Sequence, residues 1–210
     1  NTTGINNTAV GANSLGKNIT GVENSAFGVS ALSQNTAGNY NSAFGRQALA
    51  NVITASNSTA MGYQALFTST AANLVAVGYK ALYSNTTGVE NTAVGYNALY
   101  ANSIGTALTA VGYGALTANT TGTNNTAVGD SALIGNTIGQ YNTAVGVSSL
   151  QANTTGSNNT AVGQGALQSN TLGTSNSAFG YQALYSNTTG VNNVAVGRQA
   201  SYNQTTTPVS

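Results

Sequence analysis

The 210-residue sequence contains no histidine, no cysteine and no tryptophan, and it has a single proline. Without cysteine there is no disulfide framework, no thiolate nucleophile and no zinc–thiolate site. Without histidine no imidazole base is present to activate a serine, so a Ser-His-Asp arrangement is excluded. The absences alone remove most of the side-chain chemistry that hydrolases and structural metal sites use.

Charge is almost as scarce. Charged residues make up 3% of the chain and the formal net charge is +1, whereas about a quarter of an ordinary soluble domain is charged. The chain has no basic stripe of the kind that binds nucleic acid, so we expect no nucleic-acid partner. No run approaches the roughly 18 apolar residues of a membrane span, so we expect no span in this stretch.

What the sequence does contain is one phrase, Asn-Thr-Ala-Val-Gly, that returns every seventeen residues. A fixed period of this size is typical of a solenoid or a repeat array. Only the interval from Gly62 to Gly78 is one residue short. The glycine of the phrase occurs at Gly11, Gly28, Gly45, Gly62, Gly78, Gly95, Gly112, Gly129, Gly146, Gly163, Gly180 and Gly197.

Positions are numbered from the Asn of the phrase, so that Asn91 is position 1 and Gly95 is position 5. Position 4 is Val, Phe or Met, position 9 is Leu in every repeat but the last, and Asn dominates position 12. Two short apolar runs in each repeat, each bounded by Gly or Asn, predict two short strands and two turns. We therefore expect an all-β protein, a parallel β-solenoid or β-roll with one repeat per coil.

The columns of the repeat predict a cross-section. Stacked coils place equivalent residues about 4.8 Å apart, so twelve coils form a rod roughly 55–60 Å long. We expect the Leu column and the Val/Phe column to form the interior, and the Asn residues at positions 1 and 12 to form side-chain ladders along the rod. A charged column would place like charges directly above one another, which is consistent with the scarcity of charge.

Position 3 is alanine in all twelve repeats. Side chains alternate between the faces of a strand, so if the neighbouring Val/Phe points inward, the alanine points outward and forms a contact between chains of a homo-oligomer. The alternative is a corner that turns both residues inward. The candidate interface residues are Ala9, Ala26, Ala43, Ala60, Ala76, Ala93, Ala110, Ala127, Ala144, Ala161, Ala178 and Ala195.

Two other sets of residues could carry function. Tyrosines recur at positions 6 and 10, and such columns could bind sugar rings or a neighbouring fibre, or simply form a surface ladder that stiffens the rod. Asn-x-Ser/Thr sequons recur at position 12, beside a turn that we expect to be exposed. These sequons make Asn85, Asn119, Asn153 and Asn187 candidate glycosylation sites.

The acidic residues are only Glu23, Glu90 and Asp130. Glu23 and Glu90 share position 17 four coils apart, roughly 19 Å at the strand spacing. The paired carboxylates of glycosidases stand about 5–9.5 Å apart, so these two cannot act together. No group of ligands fits calcium or zinc. We therefore expect no enzymatic activity, no metal and no cofactor.

The repeat Asn-Ser/Thr-Ala-Val/Phe-Gly-x-x-Ala-Leu resembles the head repeats of YadA-type trimeric autotransporter adhesins. It is also similar to the Asn-Thr-Ala-Val-Gly arrays of phage-type tail fibres and large bacterial surface proteins. The resemblance covers all 210 residues and implies a left-handed solenoid, a trimer and a location outside the cell or on a cell or virion surface. YadA-type coils are shorter than seventeen residues.

The two ends of the sequence indicate how far the repeat array extends. Asn1-Thr2-Thr3-Gly4 matches the later Asn85-Thr86-Thr87-Gly88, so residues 1–210 are expected to be one repeat array cut from a longer protein. Residues 198–210 are expected to form a degenerate last coil, because Ser201 replaces the Leu and Pro208 cannot donate to a ladder. The sequence favours an extracellular structural fibre or adhesin shaft, with an ice-binding or carbohydrate-binding solenoid as the alternative.

Overall fold

The computed structural model describes residues 2–205. It confirms the parallel β-solenoid, since twelve three-residue strands form one parallel sheet in which each strand pairs with the next along the chain. Equivalent residues of neighbouring repeats face each other in register, as Ala93 faces Ala110. The strands are β1 (Thr8–Val10), β2 (Ser25–Phe27), β3 (Ser42–Phe44), β4 (Thr59–Met61), β5 (Val75–Val77), β6 (Thr92–Val94), β7 (Thr109–Val111), β8 (Thr126–Val128), β9 (Thr143–Val145), β10 (Thr160–Val162), β11 (Ser177–Phe179) and β12 (Val194–Val196).

The prediction of a second strand in each coil is wrong for the described residues. The Ala-Leu run does bond to the next coil, as Leu99 N donates to the carbonyl oxygen of Ala115 at 3.0 Å. The backbone at the leucine is left-handed, however, with φ of 53° at Leu99 and 51° at Leu133. An extended strand does not contain this conformation, so the run forms a corner.

At the leucine corners, the cost of a left-handed backbone is set against the gain from burying the side chain. A left-handed conformation costs an L-residue roughly 1–2 kcal/mol, whereas burying a leucine side chain contributes about 1.5–3 kcal/mol. Leu99 and Leu133 are fully buried, so burial exceeds the backbone cost. The Leu column therefore forms the interior, as the sequence predicts.

The predicted orientation of the strand is wrong. The position-3 alanines from Ala26 to Ala195 are buried inside the solenoid, and most have no exposed surface. The position-4 side chains face outward instead, with Phe44 37% and Met61 46% exposed. Alternation along the strand holds, but in the opposite phase, because the small alanine side chains pack against the Leu column in one continuous core.

The prediction that the alanine column forms a contact between chains is therefore wrong. A side chain that is enclosed by its own coil and its neighbours has no surface to offer to a second chain. Ala9 alone among the twelve is exposed in the structure, in the coil that contains β1. The alternative of a corner that turns both strand residues inward is not observed either.

Asparagines at position 12 form the predicted ladder. Nδ2 of Asn119 donates to Oδ1 of Asn102 at 2.9 Å, and Nδ2 of Asn153 donates to Oδ1 of Asn136 at 2.8 Å. The same Nδ2 groups donate to the position-15 carbonyl of their own turn, as Asn119 does to Gly122. Position 1 forms a second ladder, in which Asn142 Nδ2 donates to Oδ1 of Asn125 at 3.2 Å.

The asparagine ladder contradicts the prediction of glycosylation at position 12. Asn85, Asn119, Asn153 and Asn187 are fully buried, and each Nδ2 group donates within the interior. A glycan on these amides would have to displace the ladder and open the coil. The prediction assumed that the turn exposes position 12, whereas the turn exposes position 14 and faces position 12 inward.

Glycine at position 5 is required by close approach of the coils. Gly129 has φ of 136°, and a Cβ atom built on it would lie 2.6 Å from the carbonyl oxygen of Gly146 in the next coil. No side chain fits between two backbones at this separation. The recurrent glycine at position 5 is therefore a point at which the backbones of successive coils leave no room for a side chain.

The degenerate coil is seen only in part. Ser201 keeps the left-handed conformation of the leucine that it replaces, with φ of 52°, but it is exposed. The remainder of the predicted degenerate segment, residues 206–210, lies outside the described residues. The left-handed sense of the solenoid stays a prediction.

Candidate interaction surfaces

Among residues 2–205 there is no group of three or more His, Cys, Asp or Glu side chains placed to hold a metal ion. No helix in the same range is long and apolar enough to cross a membrane. What the structure does present is a set of side-chain columns on the outside of the rod. Two of these surfaces are distinctive, and each is positioned by the corners of the coil.

The first surface, the sheet face, consists of the outward side chains at positions 2 and 4 of the twelve strands. Position 2 is Thr or Ser in ten coils and Val in two, and position 4 is Val, Phe or Met in all twelve. The strand register places each residue beside its equivalent in the next coil. Phe27 and Phe44, both at position 4, stack with ring centroids 4.9 Å apart.

The sheet face carries no charged residue at either position. Its apolar column runs along every strand without interruption, and Val145 and Phe179 are 37% and 42% exposed. A continuous exposed apolar column is typical of a surface that another molecule covers.

The second surface, the tyrosine face, consists of the aromatic side chains at positions 6 and 10. Tyr63, Tyr79, Tyr96 and Tyr113 stack in four successive coils, with ring centroids 5.0–5.4 Å apart. A parallel column at position 10 contains Phe67, Tyr83 and Tyr100, with both separations at 5.2 Å. Stacked pairs contribute about 0.5–1.5 kcal/mol each beyond their burial. The tyrosines therefore form a surface ladder along the rod, and both stiffening and the binding of sugar rings or a neighbouring fibre stay predictions.

Cations lie on the tyrosine face. The Lys80 ammonium lies 5.4 Å from the ring centroid of Tyr79, 5.2 Å from that of Tyr83 and 6.0 Å from that of Tyr100. Partial desolvation lowers the pKa of Lys80, but the phenol groups of these tyrosines raise it by more, so the pKa lies above its ordinary value. Lys80 thus remains charged at neutral pH and links the two columns.

The ends of the four-tyrosine stack differ. The Arg46 guanidinium lies 5.9 Å from the ring centroid of Tyr63, and it occupies the same position 6 one coil earlier. At the other end the next residue of the column is Asp130 rather than an aromatic residue. Tyr113 is consequently the most exposed of these rings, at 57%. One face of Tyr113 has no aromatic partner within the described stack.

A hollow of about 220 Å³ lies beside this last ring. Its lining comes from coils six to eight, and its floor is at position 7, where Gly114 has no side chain. The sequence did not predict this feature, and the signal that could have found it is a glycine where neighbouring coils carry Lys80, Asn97 and Ser131. The lining residues are Tyr96, Asn97, Tyr113, Gly114, Thr117 and Ile134.

No family model, curated protein or solved structure matches the chain. The class of protein that the structure defines is a repetitive β-solenoid, and the resemblance to adhesin and tail-fibre repeats stays a prediction.

Proposed function

We propose that this chain is a non-enzymatic structural shaft of an extracellular, cell-surface or virion-surface fibre or adhesin, and that it self-associates side by side through the sheet face. The observation that carries the proposal is the uninterrupted, uncharged column at position 4 along all twelve strands. Every coil repeats the same interior, so length is added without any change in the cross-section. A rod of this kind provides reach and stiffness rather than a reaction centre.

A second copy of the chain is the partner that the sheet face fits best. Both copies have the same spacing between side chains, so their Val/Phe and Thr/Ser columns interlock along the whole rod, as in a steric zipper. Twelve strands at about 4.8 Å and three residues at about 3.3 Å give a face of roughly 600 Å² per chain. Two such faces bury about 1,200 Å², which is within the range of stable interfaces.

A trimer is the assembly that the resemblance to YadA-type repeats implies. Pairing of two sheet faces joins two rods, whereas in a trimer the sheet face of each rod contacts a different surface of the next, so the measured mass distinguishes the two assemblies. The absence of charge at positions 2 and 4 means that no like-charge repulsion opposes the assembly.

Self-association is tested by sedimentation velocity on residues 1–210, which have a mass of 20.9 kDa. We expect a multiple of this mass for the unchanged chain, and the monomer mass for Val94→Lys combined with Val128→Lys. The matched control is Ile104→Lys combined with Ile138→Lys, at residues that are 51% and 49% exposed on the turn away from the sheet. A monomeric parent chain, or equal masses for both double variants, would refute self-association through the sheet face.

The proposed location has its own test. An antibody against the array should label intact source cells or particles. Labelling that requires permeabilisation would overturn the extracellular assignment, without bearing on the solenoid itself.

A second candidate function, carbohydrate binding, is favoured by the exposed tyrosine face. Inner rings of the stack cover each other, so only ring edges and the last ring, Tyr113, are available to a sugar. We expect retention of the chain on a glycan array, with loss of retention in Tyr96→Ala and Tyr113→Ala. Retention that both variants leave unchanged would contradict a role for the tyrosines.

A further inference from the structure

Position 7 is occupied by long polar side chains in several coils, and these side chains bond along the rod. Nε2 of Gln64 donates to Oε1 of Gln47 at 2.9 Å, and Nε2 of Gln199 donates to Oε1 of Gln182 at 3.1 Å. The later coil provides the donor and the earlier coil the acceptor in both pairs. This pattern predicts that Oδ1 of Asn97 accepts a hydrogen bond from the residue at position 7 of the next coil.

That residue is Gly114, which has no side chain to donate. Oδ1 of Asn97 is correspondingly buried and has no hydrogen-bond partner. Asn187 shows the same effect in the position-12 ladder. Its Oδ1 also has no partner, because Gln204 of the next coil donates to Asn193 instead, at 2.7 Å. A ladder that loses one donor leaves one acceptor unsatisfied.

The vacated position is large and has distinct walls. The hollow measures about 220 Å³ and is lined by the ring of Tyr113 and the side chain of Ile134 as well as by polar groups. The Thr117 hydroxyl lies 2.8 Å from the carbonyl oxygen of Gly114 and 3.0 Å from that of Asn97, and it donates its single proton to one of the two at a time. Its oxygen retains lone pairs that can accept a hydrogen bond.

The chemistry of the lining selects a class of ligand. The acceptor Thr117 Oγ1 calls for a ligand with a hydroxyl or amide donor. The aromatic ring of Tyr113 and the methyl groups of Ile134 call for a ligand with an apolar face. None of the six lining residues is charged. A neutral pyranose residue has hydroxyl donors, a C–H face and a volume suited to the hollow.

We propose that the hollow above Gly114 is a binding site for one neutral saccharide residue, in which Thr117 accepts one of its hydroxyl groups and Tyr113 covers its C–H face. The proposal rests on carbohydrate binding by the tyrosine face and assigns that binding to one place on the rod.

Gly114→Asn is the decisive variant. Gly114 has φ of 64°, and asparagine already adopts φ of 53° and 56° at the equivalent Asn97 and Asn13. A Cβ atom at Gly114 would approach the terminal methyl of Ile134 at 3.2 Å, which a small side-chain rotation relieves. The new carboxamide fills the hollow and donates to Asn97, so the variant remains folded while the site is closed.

Gly165→Asn is the matched control. Gly165 is the other position-7 glycine, with φ of 66°, and it does not line the hollow. A Cβ atom there would lie 3.0 Å from Oε1 of Gln168 and 3.2 Å from Cγ of Gln182. The substitution is chemically identical and leaves the Gly114 hollow unchanged.

The experiment is saturation-transfer difference NMR on the full chain with methyl glycosides of glucose, galactose, mannose and N-acetylglucosamine. We expect at least one glycoside to bind the parent chain and Gly165→Asn equally, and to bind Gly114→Asn at least about tenfold more weakly. Equal binding to all three chains would refute the hollow while leaving saccharide binding elsewhere on the tyrosine face intact. No binding of any glycoside to the parent chain would overturn both the hollow and the second candidate function.

Discussion

Nδ2 of Asn136 donates a 2.9 Å hydrogen bond to Oδ1 of Asn119, its equivalent in the preceding coil. The same Nδ2 group donates to the carbonyl oxygen of Gly139 at 3.1 Å, within its own turn. One buried side chain therefore closes a turn and joins two coils. Because this arrangement recurs along the rod, the ladder is a main source of its cohesion.

Asn136→Ala should destabilise the solenoid by about 2–4 kcal/mol, since it removes the donor to the buried Oδ1 of Asn119 and the acceptor of Asn153 Nδ2 and opens a cavity. Thr121→Ala, at an exposed position 14 of the neighbouring coil, is the control and should change stability by less than about 0.5 kcal/mol. The measurement is urea unfolding followed by circular dichroism, with hydrogen exchange to locate the loosened coils. Equal midpoints for the two variants would show that the ladder contributes nothing measurable.

The buried and exposed leucines provide a second comparison with the same substitution. Leu99 has no exposed surface, whereas Leu172 is 54% exposed. We expect Leu99→Ala to cost about 2–5 kcal/mol and Leu172→Ala less than about 0.5 kcal/mol. Thermal unfolding of the two variants checks this difference. Alanine keeps the Cβ atom, so the cost of the left-handed backbone remains in the variant. A small effect at Leu99 would contradict burial of the Leu column as a main contribution to stability.

Close approach of the coils is tested at two glycines that share a conformation. Gly129→Ala places a Cβ atom 2.6 Å from a backbone carbonyl oxygen, but Gly197→Ala, at φ of 123°, meets no atom within 4 Å. We expect Gly197→Ala to cost about 1–3 kcal/mol from backbone strain alone, and Gly129→Ala to cost considerably more. The difference between their denaturation midpoints measures the steric contribution. Similar midpoints would indicate that conformation, and not contact, requires the glycine.

Glycosylation should follow exposure rather than the sequon. Asn124 and Asn158 are exposed sequon residues at position 17, whereas Asn119 and Asn153 are buried. In a host that glycosylates secreted proteins, we expect folded chain with glycans on Asn124 and Asn158 and none on Asn119 or Asn153. Peptide mass spectrometry after enzymatic deglycosylation in heavy-oxygen water identifies the occupied sites. A folded chain with glycans on Asn119 would contradict the buried ladder.

Ice binding should be absent. The Asn-Thr-Thr rows form bends rather than a flat strand, and the Thr120 hydroxyl donates to the carbonyl oxygen of Thr137 at 3.1 Å. Hydroxyl groups that are bonded along the rod cannot donate to an ice lattice. We therefore expect no thermal hysteresis from the purified array. A clear gap between its melting and freezing temperatures would overturn this prediction and the purely structural function with it.

The sequence by itself determined the period, the parallel solenoid, the Leu interior and the Asn ladders. The physical reason is that a fixed repeat stacks identical residues, so every column becomes a ladder whatever the details of the coil. The Leu column is then buried in every coil that carries it, and amide columns bond to themselves. Leu133 and Asn136 could be assigned in this way without coordinates.

Only the tertiary structure decided which side of the strand faces inward. Alternation relates Ala93 to Val94 but does not say which of them meets the core. That choice depends on the corner at Leu99, where a left-handed backbone turns the leucine onto the alanine side. The hollow above Gly114 likewise depends on side chains of three successive coils, so it exists only once the coils are stacked.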